Sequence, residues 1–138
     1  MKILVYSKSN LFGIGLSMQL NKWKGVSVVN TFNCIDETLI NLQIGQKPDV
    51  LILHHSSFDS ILINMIQEIQ KSVGSLPLII LTDVPCKFQS EEKRLFLNIN
   101  FISSTIMPED LKRTLYSLPI KKKCCSLNTD AYHLKKRI

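Results

Sequence analysis

Two stretches decide the fold: Lys47-Pro48-Asp49-Val50-Leu51-Ile52-Leu53 and, further on, Leu78-Ile79-Ile80-Leu81-Thr82. Each holds four consecutive aliphatic residues with no alternation of polar and apolar positions. Successive side chains of a strand point to opposite faces, so such a run presents an apolar surface on both sides of its sheet. Both sides must then be covered, as they are for parallel strands in α/β proteins. Working outward, residues 3–6, 26–29 and 101–102 read as three further short strands, bounded by polar or Gly/Pro punctuation.

Helical periods fill the gaps between these runs. Asn10 or Ser9 can cap a helix running to about Trp23, with Leu11, Ile14, Gly15, Met18 and Lys22 on one stripe and Gly25 as its stop. Residues 35–44 place Ile35, Leu39 and Leu42 on one face before Gly45, and residues 58–73 place Ile61, Met65, Ile66, Ile69 and Val73 on one face before Gly74. Residues 90–98 open on Ser90-Glu91-Glu92-Lys93 as a short helix. The last helix opens at Pro108-Glu109-Asp110-Leu111, with Pro in the first turn and acids at the positive end of the helix dipole. Gly13 and Gly15 fall inside the first helix and are expected to let it lie close on the sheet.

Five β-α units with right-handed crossovers predict a flavodoxin-like, doubly wound, five-stranded parallel sheet of order 2-1-3-4-5 flanked by five helices. Ligands in that architecture sit beyond the carboxyl ends of the strands, here residues 6–10, 54–57 and 82–86.

The chain has 138 residues, 45% hydrophobic and 20% charged, an ordinary globular composition long enough for one core. Its net charge of +6 is unevenly placed. Residues 1–120 carry 11 Lys/Arg against 10 Asp/Glu, and residues 121–138 carry 6 against one. The division is therefore a domain over 1–120 and a basic tail or linker over 121–138. Lys121, Lys122, Lys123, Lys135, Lys136 and Arg137 are the candidate contacts for phosphates or an acidic partner. Cys34, Cys86, Cys124 and Cys125 show neither C-x-x-C pairing nor histidines at zinc-finger spacing, which favours a reduced, intracellular protein. Met1-Lys2-Ile3-Leu4-Val5-Tyr6 is too short an apolar run for a signal-peptide core, and no stretch approaches the ~20 apolar residues of a membrane span, so the expectation is cytoplasmic, with no membrane contact.

With these segments placed, the chain resembles the receiver domains of two-component response regulators, in particular those that precede LuxR-type helix-turn-helix domains. The resemblance covers about residues 1–118. Lys2-Ile3-Leu4-Val5, Leu11-Phe12, Gly15-Leu16, Lys47-Pro48-Asp49-Val50-Leu51-Ile52-Leu53, Leu78-Ile79-Ile80-Leu81-Thr82 and Pro108-Glu109-Asp110-Leu111 carry it. In that family two acids after the first strand and an aspartate after the third hold Mg²⁺, and the third-strand aspartate accepts a phosphoryl group. The resemblance places Ser7 and Lys8 at the acidic pair, His54 at the phosphoacceptor, Ser104 at the lysine after the fifth strand, and Thr82 at a position that keeps the family's residue type. Three carboxylates and a lysine are thus replaced together, which predicts a degenerate receiver with no catalysis, no metal and no cofactor. His54 and His55, adjacent at a strand end, should point in different directions and make poor joint ligands.

What the resemblance implies for function is association. Receivers of this family communicate through the surface of the fourth helix, fifth strand and fifth helix, or through the first and fifth helices. Phe101 matches the family's switch aromatic position. Leu111, Leu115 and Tyr116, with Leu95 and Phe96, are candidates for a partner-facing patch. The expected partner is another regulator or a second copy, in a dimer that regulates transcription or signalling. The alternatives are a nucleic-acid-binding accessory protein acting through its basic tail, an N-terminal fragment of a DNA-binding regulator, and a small-molecule or weak enzymatic site around Ser7, His54 and Thr82.

Overall fold

The computed structural model of the chain describes residues 1–45, 47–57, 59–83 and 98–118. Within them the order is β1 (Lys2–Ser7), α1 (Asn10–Asn21), β2 (Ser27–Phe32), α2 (Ile35–Ile44), β3 (Val50–His54), α3 (Ser60–Val73), β4 (Leu78–Thr82), β5 (Ile99–Ser103) and α4 (Pro108–Ser117). The expected helix over 90–98 and the tail over 121–138 lie outside the described residues, save Asn98.

The five strands pair in parallel in the order β2-β1-β3-β4-β5, the doubly wound order expected. The two aliphatic runs behave as their pattern requires. Val50, Ile52, Ile79 and Leu81 turn to one face with Ile3 and Val5, against Leu20 and Trp23 near α1 and Leu111 and Leu115 of α4. Leu51, Leu53, Leu78 and Ile80 turn to the other with Leu4 and Tyr6, against Leu42 of α2 and Leu62, Met65, Ile66 and Ile69 of α3. Burying branched aliphatic side chains at ~1.5–3 kcal/mol each is what holds the three layers together. β2, at the edge, carries an irregularity: Ile3 pairs with Val28 and Leu4 with Asn30, so Val29 is an extra residue.

The helix faces differ from expectation at three places. In α1 the stripe Leu11, Ile14, Met18 is 84%, 56% and 63% exposed, and the helix packs through Gly13 and Leu20, with Phe12 and Leu16 partly buried. This helix, Asn10–Asn21, contains no charged residue to mark its outer side, so apolar spacing alone does not choose between its faces. It also ends earlier than Trp23; Lys22 is its C-cap, and Gly25 turns the chain at φ +79°. In α3 Ile61 is exposed and Leu62 takes the buried place, because Asp59 caps the helix at Leu62 N–H and starts it at Ser60. In α4 Leu111 and Leu115 are 3% and 0% exposed, one helical turn apart on the core side. They are therefore core residues and not a partner-facing patch; Tyr116 is the exposed one, donating its hydroxyl to the Lys24 carbonyl.

Gly13 lies close on the sheet as expected. A Cβ there would stand 3.0 Å from Thr31 Cγ2 and 3.6 Å from Ser7 Cβ, whereas one on Gly15 would meet nothing within 4 Å. The close approach belongs to Gly13 alone.

Candidate functional site

Parallel pairing aligns the carboxyl ends of the central strands, with Ser7 opposite His54, His54 opposite Leu81, and Thr82 opposite Ser103. The expected site residues Ser7, His54 and Thr82 are thus set at one sheet edge, and Ser104 joins them by donating its backbone N–H to the Thr82 carbonyl at 2.8 Å. Lys8 is exposed on the β1–α1 connection.

Ser7 is 1% exposed. Its Oγ lies 2.9 Å from His54 Nδ1 and accepts the Ser9 backbone N–H at 3.1 Å. Ser9 in turn caps α1, accepting the Phe12 N–H on its own Oγ. Phe12, delivered by that first turn, lays its ring on the His54 imidazole with centroids 3.8 Å apart and planes 17° from parallel. Burial is the main influence on His54 and lowers its pKa from the ordinary histidine value; Asp83 pulls it up and His55 pushes it down. His55 turns elsewhere, as the alternation of a strand requires, and sits 3.1 Å from Asp59 at the start of α3. The Leu62 N–H is the first cause that lowers the Asp59 pKa, with Ser57 and His55 adding to it.

On the other flank, Thr82 is buried, with its Oγ1 3.2 Å from the Ser56 carbonyl, and Asp83 takes the Ser104 hydroxyl. Two contributors are not among the expected site residues. Phe12 follows the helix start by two residues, which is where a side chain can reach back over the strand ends, and Asp83 directly follows Thr82. Among the described residues no group of three or more His, Cys, Asp or Glu is placed to share a metal ion.

Phe101 is partly buried against the core face shared with α2 and α3. Beyond the strand ends, an apolar groove of about 320 Å³ runs between α1 and α4, lined by Leu11, Phe12, Leu16, Ile106, Pro108 and Leu111 among others. Leu11 of that lining is one of the exposed apolar residues of α1, and Ile14 and Met18 follow it at helical spacing. No helix among the described residues is long and apolar enough to cross a membrane.

No protein-family model matches the sequence, and no curated protein matches it. Solved structures do. The chain is similar to RcsB from Salmonella enterica serovar Typhimurium bound to promoter rprA in the presence of the phosphomimetic BeF3−, with a TM-score of 0.68 at 24% identity over 86% of this chain and 61% of that one. It is similar to the isolated REC domain of the same protein, with a TM-score of 0.64 at 24% identity over 86% and 87%. The response regulator domain of Thermotoga maritima CheB matches at a TM-score of 0.67 and 17% identity over 88% and 98%. The chain thus spans about three fifths of the DNA-bound RcsB chain and most of each isolated receiver. At these identities the likeness establishes the receiver fold.

Proposed function

We propose that the chain is a phosphorylation-independent pseudo-receiver that acts by association with another regulator or with a second copy of itself, and not by catalysis. The observation that carries this reading is the closure of the strand-end site by Ser7, His54 and Phe12. A receiver's Mg²⁺ needs several hard oxygen ligands, and the phosphoryl group needs its charge neutralised. The Ser7 hydroxyl is already engaged by two partners, and His54 is covered by Phe12. Lys8 brings positive charge to the neighbouring position, and Asp83 holds the Ser104 hydroxyl. This donor set does not fit Mg²⁺, and no step through a metal follows from it.

Association then falls to the surface, and α1 supports it best. A chargeless helix that exposes Leu11, Ile14 and Met18 beside an apolar groove is the kind of contiguous apolar patch that marks protein contact. Tyr116 of α4 and Phe101 of β5 remain secondary candidates. A dimer through such a face would bury on the order of 1,200–2,000 Å².

The test is intact mass after exposure to acetyl phosphate with and without Mg²⁺. The expected result is no added mass. A phosphate-sized increase in the wild type that disappears in His54→Ala overturns the reading.

A second reading rests on charge: the six Lys/Arg of residues 121–138 would hold phosphates of a nucleic acid without reading its sequence. RcsB is described bound to promoter DNA, so a nucleic acid could also be reached through a partner regulator.

A further inference from the structure

We propose that Ser7, His54 and Phe12 form an acid-released latch that holds the first turn of α1 against the carboxyl edge of the sheet. The Ser9 N–H occupies one lone pair of Ser7 Oγ, and the single Ser7 hydroxyl proton is left for His54 Nδ1 at 2.9 Å. In the tautomer that carries the ring proton on Nε2, Nδ1 accepts the Ser7 hydroxyl, and the latch is built on that tautomer. The same Ser9 caps α1 at Phe12 N–H, and Phe12 stacks on the ring so held. Strand end, helix cap and stack thus form one closed circuit around a neutral imidazole.

Protonation breaks the logic of that circuit. Both ring nitrogens of an imidazolium donate, so Nδ1 no longer takes the Ser7 proton, and a hydroxyl only 1% exposed loses its acceptor. Charged surroundings decide the balance. Asp83, after β4, favours the cation, but it is tied to Ser104. His55 on the same strand end opposes it, as does the positive end of the α1 dipole, whose first turn holds no acid. Lys8 stands exposed one residue beyond Ser7 and adds the same sign, while Asp59 is engaged by His55. Burial leads these influences and disfavours the charged ring. A histidine held below its ordinary range contributes stability that is complete above about pH 6.5 and is lost as the pH falls through its folded value. Acid therefore favours a state in which the ring is hydrated and Phe12 has left it.

The latch stands on this geometry alone; only its effect on association rests on α1 as the contact face. The experiment is an NMR titration of the full chain from about pH 7.5 to about pH 5, across the ordinary histidine range. It follows the His54 ring, the amides of Ser9, Phe12 and Gly13, and their hydrogen exchange. The expected result is a His54 midpoint below the ordinary value, with the three amides moving on the same curve. In Ser7→Ala the midpoint should rise toward the ordinary value, since the neutral ring loses its donor. In His54→Gln the amides should become insensitive to pH. His54 titrating while Phe12 and Gly13 stay unchanged overturns the latch, as does a Ser7→Ala midpoint equal to wild type. Sedimentation of the same samples separates the two readings: release without change in association sustains the latch and counts against α1 as the contact face.

Discussion

At the scale of single residues, the carboxyl edge of the sheet is built from two kinds of contact, between neighbouring strands and between α1 and the sheet. Ser7, His54 and Thr82 could be set at one sheet edge because parallel register follows from aliphatic runs of similar length. That Phe12 would lie on His54 was not legible, since a stack depends on the tilt and rotation of α1 and not on spacing. The two helix glycines show the same limit, because only packing tells them apart. Gly15 sits in the helix with open space around it, so Gly15→Ala should stabilise the fold by about 0.5–1 kcal/mol through helix propensity and reduced unfolded-state freedom. Gly13→Ala gains the same propensity, but its methyl would meet Thr31 Cγ2 at 3.0 Å; overpacking costs about 1–3 kcal/mol, so the net change should be destabilising. Urea denaturation of both variants checks the pair. Thr31→Ser removes that methyl while keeping the hydroxyl that bonds Ser17, and it should recover the loss in Gly13→Ala. Equal effects at Gly13 and Gly15 would mean that close packing does not distinguish them.

At the scale of elements, strands were more legible than helix faces for a physical reason. A strand covered on both sides needs only apolarity, and Val50–Leu53 of β3 and Leu78–Leu81 of β4 supply it. A helix must also declare an outside. α3 does so with Gln67, Glu68 and Lys71, and Met65, Ile66 and Ile69 are buried as expected, with Val73 partly buried and Leu62 in place of Ile61. α4 does so with Glu109, Lys112 and Arg113, which should have marked Leu111 and Leu115 as core. α1 has no such residue, and spacing alone chose the wrong stripe. Leu11→Asp, Ile14→Lys and Met18→Lys should each leave stability within about 0.5 kcal/mol, as exposed substitutions do. Each should nonetheless reduce self-association or partner binding if the α1 face is the contact. Leu20→Ala, on the buried side, should cost about 2–5 kcal/mol. Thermal unfolding and sedimentation, run on all four, separate the two faces. A large stability loss at Ile14 with none at Leu20 would reverse the assignment.

At the scale of the whole molecule, two competing surfaces differ in the force they use, and salt distinguishes them. Residues 1–120 are nearly balanced in charge, with 11 basic and 10 acidic side chains, so the net positive charge lies almost wholly in residues 121–138. A complex held by those cations releases counterions on forming, and its affinity falls steeply as salt rises, with a slope near −0.9 per phosphate neutralised on duplex DNA. A complex held by Leu11, Ile14 and Met18 removes apolar surface from water, a driving force that screening does not touch. Raising salt from about 50 mM to about 200 mM should therefore leave an α1 complex nearly unchanged, while a tail complex in which all six cations neutralise phosphates would lose about 10³ in affinity. Removing residues 121–138 gives the complementary measurement, and it should leave the α1-mediated complex intact. If truncation and salt both abolish binding while Leu11→Asp does nothing, association runs through the tail, and the contact reading of α1 fails. The opposite pattern, loss on Leu11→Asp with indifference to salt and truncation, would locate the function on the helix whose first turn closes the strand-end site.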